Sequence, residues 1–565
     1  MKSRWLVPLT LVAGTAVLGC PNYHGTSPIP GPSVTSVYPL TGTVGTRLTI
    51  TGTSFYDNAT VLVGTLAADS VTVVNQTTLY AYVPAGVAAG STYPVSVDNG
   101  SGTAAGPTPF TAVAPTLIYA NGASRPSVAL GSSVVLEGAA FGDLQGPGQV
   151  LFSDGSGGTV PGVLTAAADW SDGEVAVTVP TGAATGSVTI QTGTGSASLP
   201  LVIPTPTFNP STMTWQPTTA MPMGLSGHAA VYATVGSAAS PTNLVYVIGG
   251  SNVTSAATTN VMAAPVQASG LLGTWTTLHA LPGPVAFQAA VAATPANSRI
   301  TQAAGYLYVL GGVTDATGAP TNTIVRGTLD STGVVTTWTT LTSTLPEPLQ
   351  SFGAVLYHGD LYVVGGATTG FVPSAGVYRA RIDSTGALGP WETETALPFA
   401  RAYAAVTAMG DRLYVWGGDS AIVAPNDSNA AVNGTKLSRI TSAAVDAFTG
   451  GLSLGWITSS TPLPTAVSKE TVVSLGDTVL VTGGLYTGAA NGTFEESYTA
   501  VDTSGVVGTF TTLGATHTIR NAGGGSLFNQ AAVTYVDASG TGHVLVLGGD
   551  DVSTPGTRHT QVWIY

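Results

Sequence analysis

An apolar strand that runs straight into a pair of glycines recurs six times along the C-terminal two thirds of this 565-residue chain. The copies read Leu244-Val245-Tyr246-Val247-Ile248-Gly249-Gly250, Leu307-Tyr308-Val309-Leu310-Gly311-Gly312, Leu361-Tyr362-Val363-Val364-Gly365-Gly366, Leu413-Tyr414-Val415-Trp416-Gly417-Gly418, Thr478-Val479-Leu480-Val481-Thr482-Gly483-Gly484 and His543-Val544-Leu545-Val546-Leu547-Gly548-Gly549. Their glycine pairs lie 52 to 66 residues apart. A repeat of that length is a complete supersecondary unit that cannot bury its apolar face alone, so the units must stack on one another.

Each repeat has four parts. A tryptophan strand leads to Leu-Pro, as from Trp275 to Leu281-Pro282, Trp338 to Leu345-Pro346, Trp391 to Leu397-Pro398 and Trp456 to Leu463-Pro464. A strand of small residues follows, then the glycine strand, then a strand that ends in a turn, such as Tyr378 to Asp383 before Gly386. Four strands per repeat make one propeller blade. Blades narrow toward their axis, and Ala229-Ala230, Ala289-Ala290, Ala404-Ala405 and Ala531-Ala532 supply the small side chains an innermost strand needs. The glycine pair ends its strand where the backbone must enter conformations closed to other residues. Tryptophan is expected to cover the interface with the next blade.

The glycine pair, the aromatic before it and the tryptophan about 25 residues after it resemble Kelch repeats, over about 211–565. That resemblance implies a six-bladed Kelch-type β-propeller at 206–565. Phe510 replaces tryptophan in the fifth repeat, and Trp215 has no blade before it. The count of outer strands therefore closes only if a strand near 212–218 completes the last blade.

Upstream, Arg47-Leu48-Thr49-Ile50-Thr51-Gly52 and Tyr93-Pro94-Val95-Ser96-Val97 alternate apolar and polar positions, the period of half-buried strands. Val37-Tyr38-Pro39 with Gly42 and Gly45, then Ile50-Thr51-Gly52-Thr53-Ser54-Phe55, resemble the immunoglobulin-like IPT/TIG fold. A looser copy follows, with Val135 to Gly142, Val177-Thr178-Val179-Pro180 and Val188-Thr189-Ile190. The expected fold class is all-β, with two immunoglobulin-like β-sandwiches (33–113 and 114–204) ahead of the propeller, and Pro204 to Pro210 as the boundary.

The chain begins with Lys2 and Arg4, a short apolar run from Trp5 to Leu18, and Gly19-Cys20. This pattern describes a secretory signal. Val17-Leu18-Gly19-Cys20 resembles the lipobox of bacterial lipoproteins, which implies a signal peptide at 1–19, lipidation at Cys20 and a tether at 20–32. The alternative is ordinary secretion with an unmodified cysteine. Pro21 rather than aspartate follows Cys20, so the resemblance favours an outer-membrane lipoprotein of the cell envelope, facing the periplasm or the outside. Cys20 is the only cysteine, so disulfides, Cys–zinc sites and thiol catalysis do not arise once it is lipidated. A net charge of −13 with only three lysines argues against nucleic acid, which needs clustered cations.

Aligning the innermost strands on their final valine brings His228, Gln288, Phe352, Tyr403, Glu470 and Gln530 to one position. Two residues earlier stand Ser226, Ala286, Gln350, Arg401, Ser468 and Phe528. Strand alternation turns both sets the same way. His228, Gln288, Gln350, Arg401, Tyr403, Glu470 and Gln530 thus become candidates for a polar channel that binds a sugar or carboxylate, or is merely solvated. Asp419 and Asp550-Asp551 follow glycine pairs and read as solvated loop acids rather than calcium ligands. No metal or cofactor is expected. Galactose-oxidase-like radical chemistry needs a copper site and a Cys–Tyr cross-link, and is excluded because the only cysteine lies in the signal region. Sialic acid mutarotases resemble the chain only in blade number and in a proton carrier beside a carboxylate binder, roles open to Glu470 and Arg401. Two functions stay open: a non-catalytic binding or adhesion scaffold for protein or polysaccharide, or a carbohydrate-active enzyme at the channel mouth.

Overall fold

The computed structural model describes residues 29–565 except 125, 127, 204–207, 238–239, 303, 315–317, 423–434, 447–448, 453, 487–495, 503, 515–518, 520–526, 538–540 and 552–556. The expected signal peptide, Cys20, the tether up to residue 28 and the core of the 204–210 boundary lie outside the described residues. The described chain is all-β, with single-turn helical segments only at Ala167–Asp169 and Pro210–Thr212. None of its helices is long and apolar enough to cross a membrane. The chain divides into two compact units, one made of segments up to Leu40 and at 48–82 and 93–110, the other of 41–47, 83–92 and 111–565.

The first unit is a sandwich of two four-stranded sheets. One orders its strands Ser33–Tyr38, Arg47–Thr53, Thr78–Tyr82, Asp69–Asn75; the other orders Thr103–Ala105, Val95–Asp98, Thr60–Val63, Leu66–Ala67. Inward positions such as Leu48, Ile50, Val61, Val63, Leu79 and Val97 are buried, as the alternating sequence requires. Gly52 is needed here, because a Cβ would lie 1.8 Å from the Ser33 carbonyl and 2.7 Å from the Phe55 ring. The same device recurs in the second unit. A Cβ at Gly138 would lie 1.9 Å from the Thr116 carbonyl and 2.6 Å from the Phe141 ring. Around it, Thr116–Ala120, Ser133–Ala139 and Glu174–Thr178 form one sheet, and Thr159–Pro161, Gln149–Ser153, Gly186–Thr192 and Gly195–Leu201 another. Phe141, Phe152, Trp170 and Ile190 fill the core of this pair.

Six four-stranded sheets follow, each running from its first strand to its fourth. The first is Ala229–Ser237, Ser240–Ile248, Val261–Pro265, Thr276–Thr277; the second is Ala289–Ala293, Tyr306–Leu310, Ile324–Leu329, Val335–Thr340. The third is Gly353–Tyr357, Asp360–Val364, Val377–Arg381, Glu392–Thr393; the fourth is Ala405–Met409, Arg412–Trp416, Ile440–Ala444, Trp456–Thr458. The fifth is Thr471–Leu475, Thr478–Thr482, Ser497–Ala500, Thr511–Thr512. The sixth takes Ala531–Val536, Gly542–Leu547 and Val562–Ile564 from the C-terminus and Gln216–Pro217 from far upstream, with Gln216 paired to Ile564 and Pro217 to Trp563. The strand sought near 212–218 is thus in place.

The glycine pairs join sheet to sheet. The second glycine of each pair donates its N–H to the next sheet: Gly250 to Val285, Gly312 to Leu349, Gly366 to Arg401, Gly418 to Val467 and Gly484 to Leu527, at 2.7–2.9 Å. Gly549 returns to Leu225 of the first sheet at 2.8 Å, so the six bonds make a closed cycle. At Gly311, taken as the example, φ is 55° and a Cβ would stand 2.6 Å from the Leu349 carbonyl, so only glycine serves. Tyrosines of the second strands add a second link: Tyr246 donates to the Gly333 carbonyl (2.7 Å), Tyr308 to Gly386 (2.6 Å), Tyr362 to Gly450 (2.6 Å) and Tyr414 to Gly505 (3.1 Å), each in the following sheet.

Apolar clusters occupy all six seams, including fifth to sixth (Met213, Leu480, Val544) and sixth to first (Leu545, Ile564, Val245, Leu272). Each fully buried valine or leucine there is worth about 1.5–3 kcal/mol. The tryptophans correct one expectation, because they cover the seam with the preceding sheet rather than the next. Trp338 of the second sheet packs on the first and donates Nε1 to the His279 carbonyl at 2.9 Å, and Trp456 of the fourth donates to Thr395 at 2.7 Å. Side chains along a strand alternate between its two faces, and the tryptophan takes the face turned to the preceding sheet, where a carbonyl accepts its indole N–H.

Candidate functional site

Six residues just before the innermost strands hold left-handed backbone: Gly227, Phe287, Ser351, Tyr403, Lys469 and Asn529, with φ of 53–58°. Each donates its N–H to the carbonyl of the one before: Phe287 to Gly227, Ser351 to Phe287, Tyr403 to Ser351, Lys469 to Tyr403, Asn529 to Lys469 and Gly227 to Asn529, at 2.8–3.2 Å. The six amides form a closed hydrogen-bonded loop. A pocket of about 170 Å³ is lined by these residues and by the ones that follow them, His228, Gln288, Phe352, Ala404, Glu470 and Gln530.

The structure therefore brings His228, Gln288, Tyr403, Glu470 and Gln530 to one pocket and leaves Gln350 and Arg401 out of it. In the structure the fourth repeat stands one residue out of register with the alignment on valine. Pairing of Ala405 with Trp416, matching Ala229 with Ile248, puts Ala404 where His228, Gln288, Glu470 and Gln530 stand. Thr407 occupies the valine position and Val406 precedes it, so alignment on valine slipped. A one-residue slip turns side chains to the other face. Tyr403 belongs with the left-handed set. Arg401 belongs with Leu225, Val285, Leu349, Val467 and Leu527, which are all buried.

Most of the candidates hold the sheets together. Gln288 Nε2 donates to the Ile248 carbonyl (2.7 Å) and Gln530 Nε2 to the Thr482 carbonyl (2.9 Å), each just before the neighbouring glycine pair. His228 packs against Gly548 in the same way, and burial lowers its pKa to about 4, leaving a neutral imidazole. Glu470 packs against Gly417, with both carboxylate oxygens closed off from solvent. Burial raises its pKa well above the carboxylate range; Asp419 adds to this and Arg401 opposes it. Arg401 is 0% exposed and donates Nη1 to the carbonyls of Gly417 (3.2 Å) and Arg439 (3.3 Å). Burial, with Arg439 nearby, brings its pKa down to about 10 despite the pull of Glu470. Gln350 donates to the Gly318 carbonyl at 3.0 Å.

Sequence reasoning missed Phe287, Ser351, Lys469 and Asn529, which reach the pocket more openly than the residues it chose. Lys469 Nζ lies 4.8 Å from the Tyr403 ring centroid, and Phe287 meets Tyr403 edge-on at 6.3 Å. The signal was present in Gly227 and Asn529, residue types that favour left-handed backbone at equivalent places. The loop acids are also corrected, since they are buried rather than solvated. Asp419 faces Lys436 at 3.8 Å, Asp550 pairs with Arg558 and accepts from Ser226 Oγ at 2.5 Å, and Asp551 faces His559 at 3.8 Å. Among the described residues no three of His, Cys, Asp and Glu come together to hold a metal ion.

A larger cavity of about 340 Å³ lies between the residue 121–133 segment and the hairpins of the second to fifth sheets, with Tyr357, His358, Met409 and Asp411 in its wall. Its acid is engaged in docking, as Asp411 Oδ2 accepts from Ser133 N at 3.0 Å. Nearby, Arg299 makes a two-pronged contact with Glu137 (2.7 and 3.2 Å).

Residues 32–112 match the IPT/TIG domain model, in keeping with the first sandwich. Beta-scruin of Limulus polyphemus is 36% identical over 85 residues, which is 15% of this chain and 9% of that protein's length. A solved structure titled "Structure of YjhT" is similar to 61% of this chain and 95% of its own, with a TM-score of 0.41 and 16% identity.

Proposed function

We propose that residues 206–565 form a six-bladed Kelch-type β-propeller that serves as a non-catalytic binding scaffold for protein or polysaccharide. In this reading two immunoglobulin-like modules carry it on an outer-membrane lipoprotein anchored through Cys20. The closed cycle of glycine-pair hydrogen bonds supports the ring, and the Gly138–Phe141 device supports a second sandwich of the first one's kind. The observation that carries the non-catalytic reading is the burial of Glu470 and Arg401. A proton carrier must reach the group it serves, and here the carboxylate oxygens are enclosed while the guanidinium lies outside the pocket. The half-buried pocket residues Phe287, Lys469 and Asn529 offer an aromatic ring, an ammonium and an amide, groups suited to holding a ligand.

The test is a glycan-array and pull-down screen with the full chain, its Tyr403→Ala/Lys469→Ala variant and its Glu470→Gln variant. Binding lost in the first and kept in the second is expected. Turnover of any sugar that disappears with Glu470→Gln would overturn the reading. For the anchor, Cys20→Ser should move the protein from the detergent-soluble membrane fraction to the aqueous one, and an unchanged distribution would remove the lipid from the proposal.

A further inference from the structure

The second sandwich and the six-sheet cycle belong to one compact unit, and the polar contacts between them gather at one end of the cycle. Each innermost strand starts at the pocket and runs away from it. Those of the third, fourth and fifth sheets lead from Ser351, Tyr403 and Lys469 to hairpin turns at His358, Asp411 and Gly476. At about 3.3 Å per residue, pocket and hairpins stand roughly 20 Å apart, at opposite ends of the axis.

The hairpin end is occupied. Ser124 donates both its N–H and its Oγ to the Pro295 carbonyl (3.1 and 2.9 Å), and the Tyr119 hydroxyl donates to that of Arg299 (3.2 Å). Both acceptors lie between the first two strands of the second sheet. Ser133 N donates to Asp411 of the fourth sheet, whose own N–H donates to the Tyr357 hydroxyl of the third at 3.0 Å. The two-pronged Arg299–Glu137 pair fixes orientation as well as distance. Gly122 passes so near the third hairpin that a Cβ would lie 2.7 Å from the His358 carbonyl. Residues of the 121–133 segment share the walls of the 340 Å³ cavity with innermost hairpins of four consecutive sheets, the second to the fifth. Such hairpins ring the axis, so a segment that faces four of them lies across its end.

We infer that the second sandwich is the base plate of the six-sheet cycle, and that a partner reaches the axis only through the pocket at the other end. The partner rests on the binding role proposed above; the base plate does not. The sandwich is then more than a spacer, because it decides which end of the cycle is offered.

Thiol labelling of the full chain tests this without a ligand, so its result is independent of the binding screen. In Cys20→Ser protein, which has no other cysteine, one cysteine is placed in the cavity wall (Ser474→Cys) or at the pocket (Asn529→Cys), both half-buried positions. A bulky maleimide-linked polyethylene glycol should label Asn529→Cys about tenfold faster than Ser474→Cys. Arg299→Glu sets a like charge against Glu137, and should speed Ser474→Cys labelling by about tenfold while leaving Asn529→Cys unchanged. Should that variant fail to fold, Asp411→Gly suits the left-handed turn (φ 59°) and removes the acceptor of Ser133 N, so a smaller rise is expected. Equal labelling at the two positions in the intact interface, or a Ser474→Cys rate that neither variant moves, would overturn the base plate.

Discussion

Five of the six sheets place an aliphatic residue two positions before the left-handed one: Leu225, Val285, Leu349, Val467 and Leu527, all buried. The fourth sheet places Arg401 there, equally buried, and Glu470 of the fifth sheet sits where two others carry glutamine. The backbone bonds are the same in all six, since Gly366 donates to the Arg401 carbonyl just as Gly312 donates to that of Leu349. The comparison shows that the repeat is defined by its main chain. Side chains inside it change without disturbing those bonds: Arg401 Nη1 donates to the Gly417 and Arg439 carbonyls, while its Nε and Nη2 are buried without a hydrogen-bond partner among the described residues.

The sharpest way to break this comparison is to strike the main chain. Gly311→Ala puts a Cβ 2.6 Å from the Leu349 carbonyl at a φ of 55°, and should lower the free energy of urea unfolding by about 3 kcal/mol. Gly417→Ala should cost at least as much, because Glu470 Oε1 would lie 2.5 Å away as well. A small effect at both would mean that the glycines are not what joins the sheets. Next in size, Arg401→Leu with Glu470→Gln gives the fourth and fifth sheets their siblings' side chains. Replacing a buried guanidinium and a buried carboxyl by well-fitting neutral groups should raise stability by about 1–3 kcal/mol; a lower melting temperature would make those polar groups stabilising and the comparison false.

A pH series separates the two residues. Because burial keeps the Glu470 proton on well above the ordinary range, the folded state binds a proton that the unfolded state loses from about 4.5 upward. Wild-type stability should decline as the pH rises from there, and Glu470→Gln should decline less over the same span in denaturant midpoints. Smallest of all, Tyr308→Phe removes the 2.6 Å bond to Gly386 and should cost about 1 kcal/mol, whereas the fifth sheet already has Leu480 at that place.

The repeat, its four strands and the pairing of its distant ends were legible because glycine pairs and tryptophans mark a period that nothing else in the chain imitates. The first sandwich was legible for the same reason, from Gly52 and Phe55. The site was less so. Thr407 replaces valine with a side chain of nearly equal shape, which hid the register of the fourth sheet and drew Arg401 and Tyr403 into positions they do not hold. Asp419 and Asp550 looked like loop acids because their cations, Lys436 and Arg558, are brought up by separate stretches of chain. The direction in which tryptophan packs depends on which face of the outer strand meets the preceding sheet, and local composition does not carry it.

The loop of six left-handed amides has a consequence for how the molecule is made. Gly227 accepts from Phe287 but donates to Asn529, so its own bond spans 302 positions of chain. Until the last sheet has been synthesised, the four non-glycine residues Phe287, Ser351, Tyr403 and Lys469 would have to hold a disfavoured backbone without the bond that completes the circle. Contacts of such long range are slow to form. A growing chain should therefore remain open and unfinished along its axis, and become fully protected in one late step when Asn529 arrives.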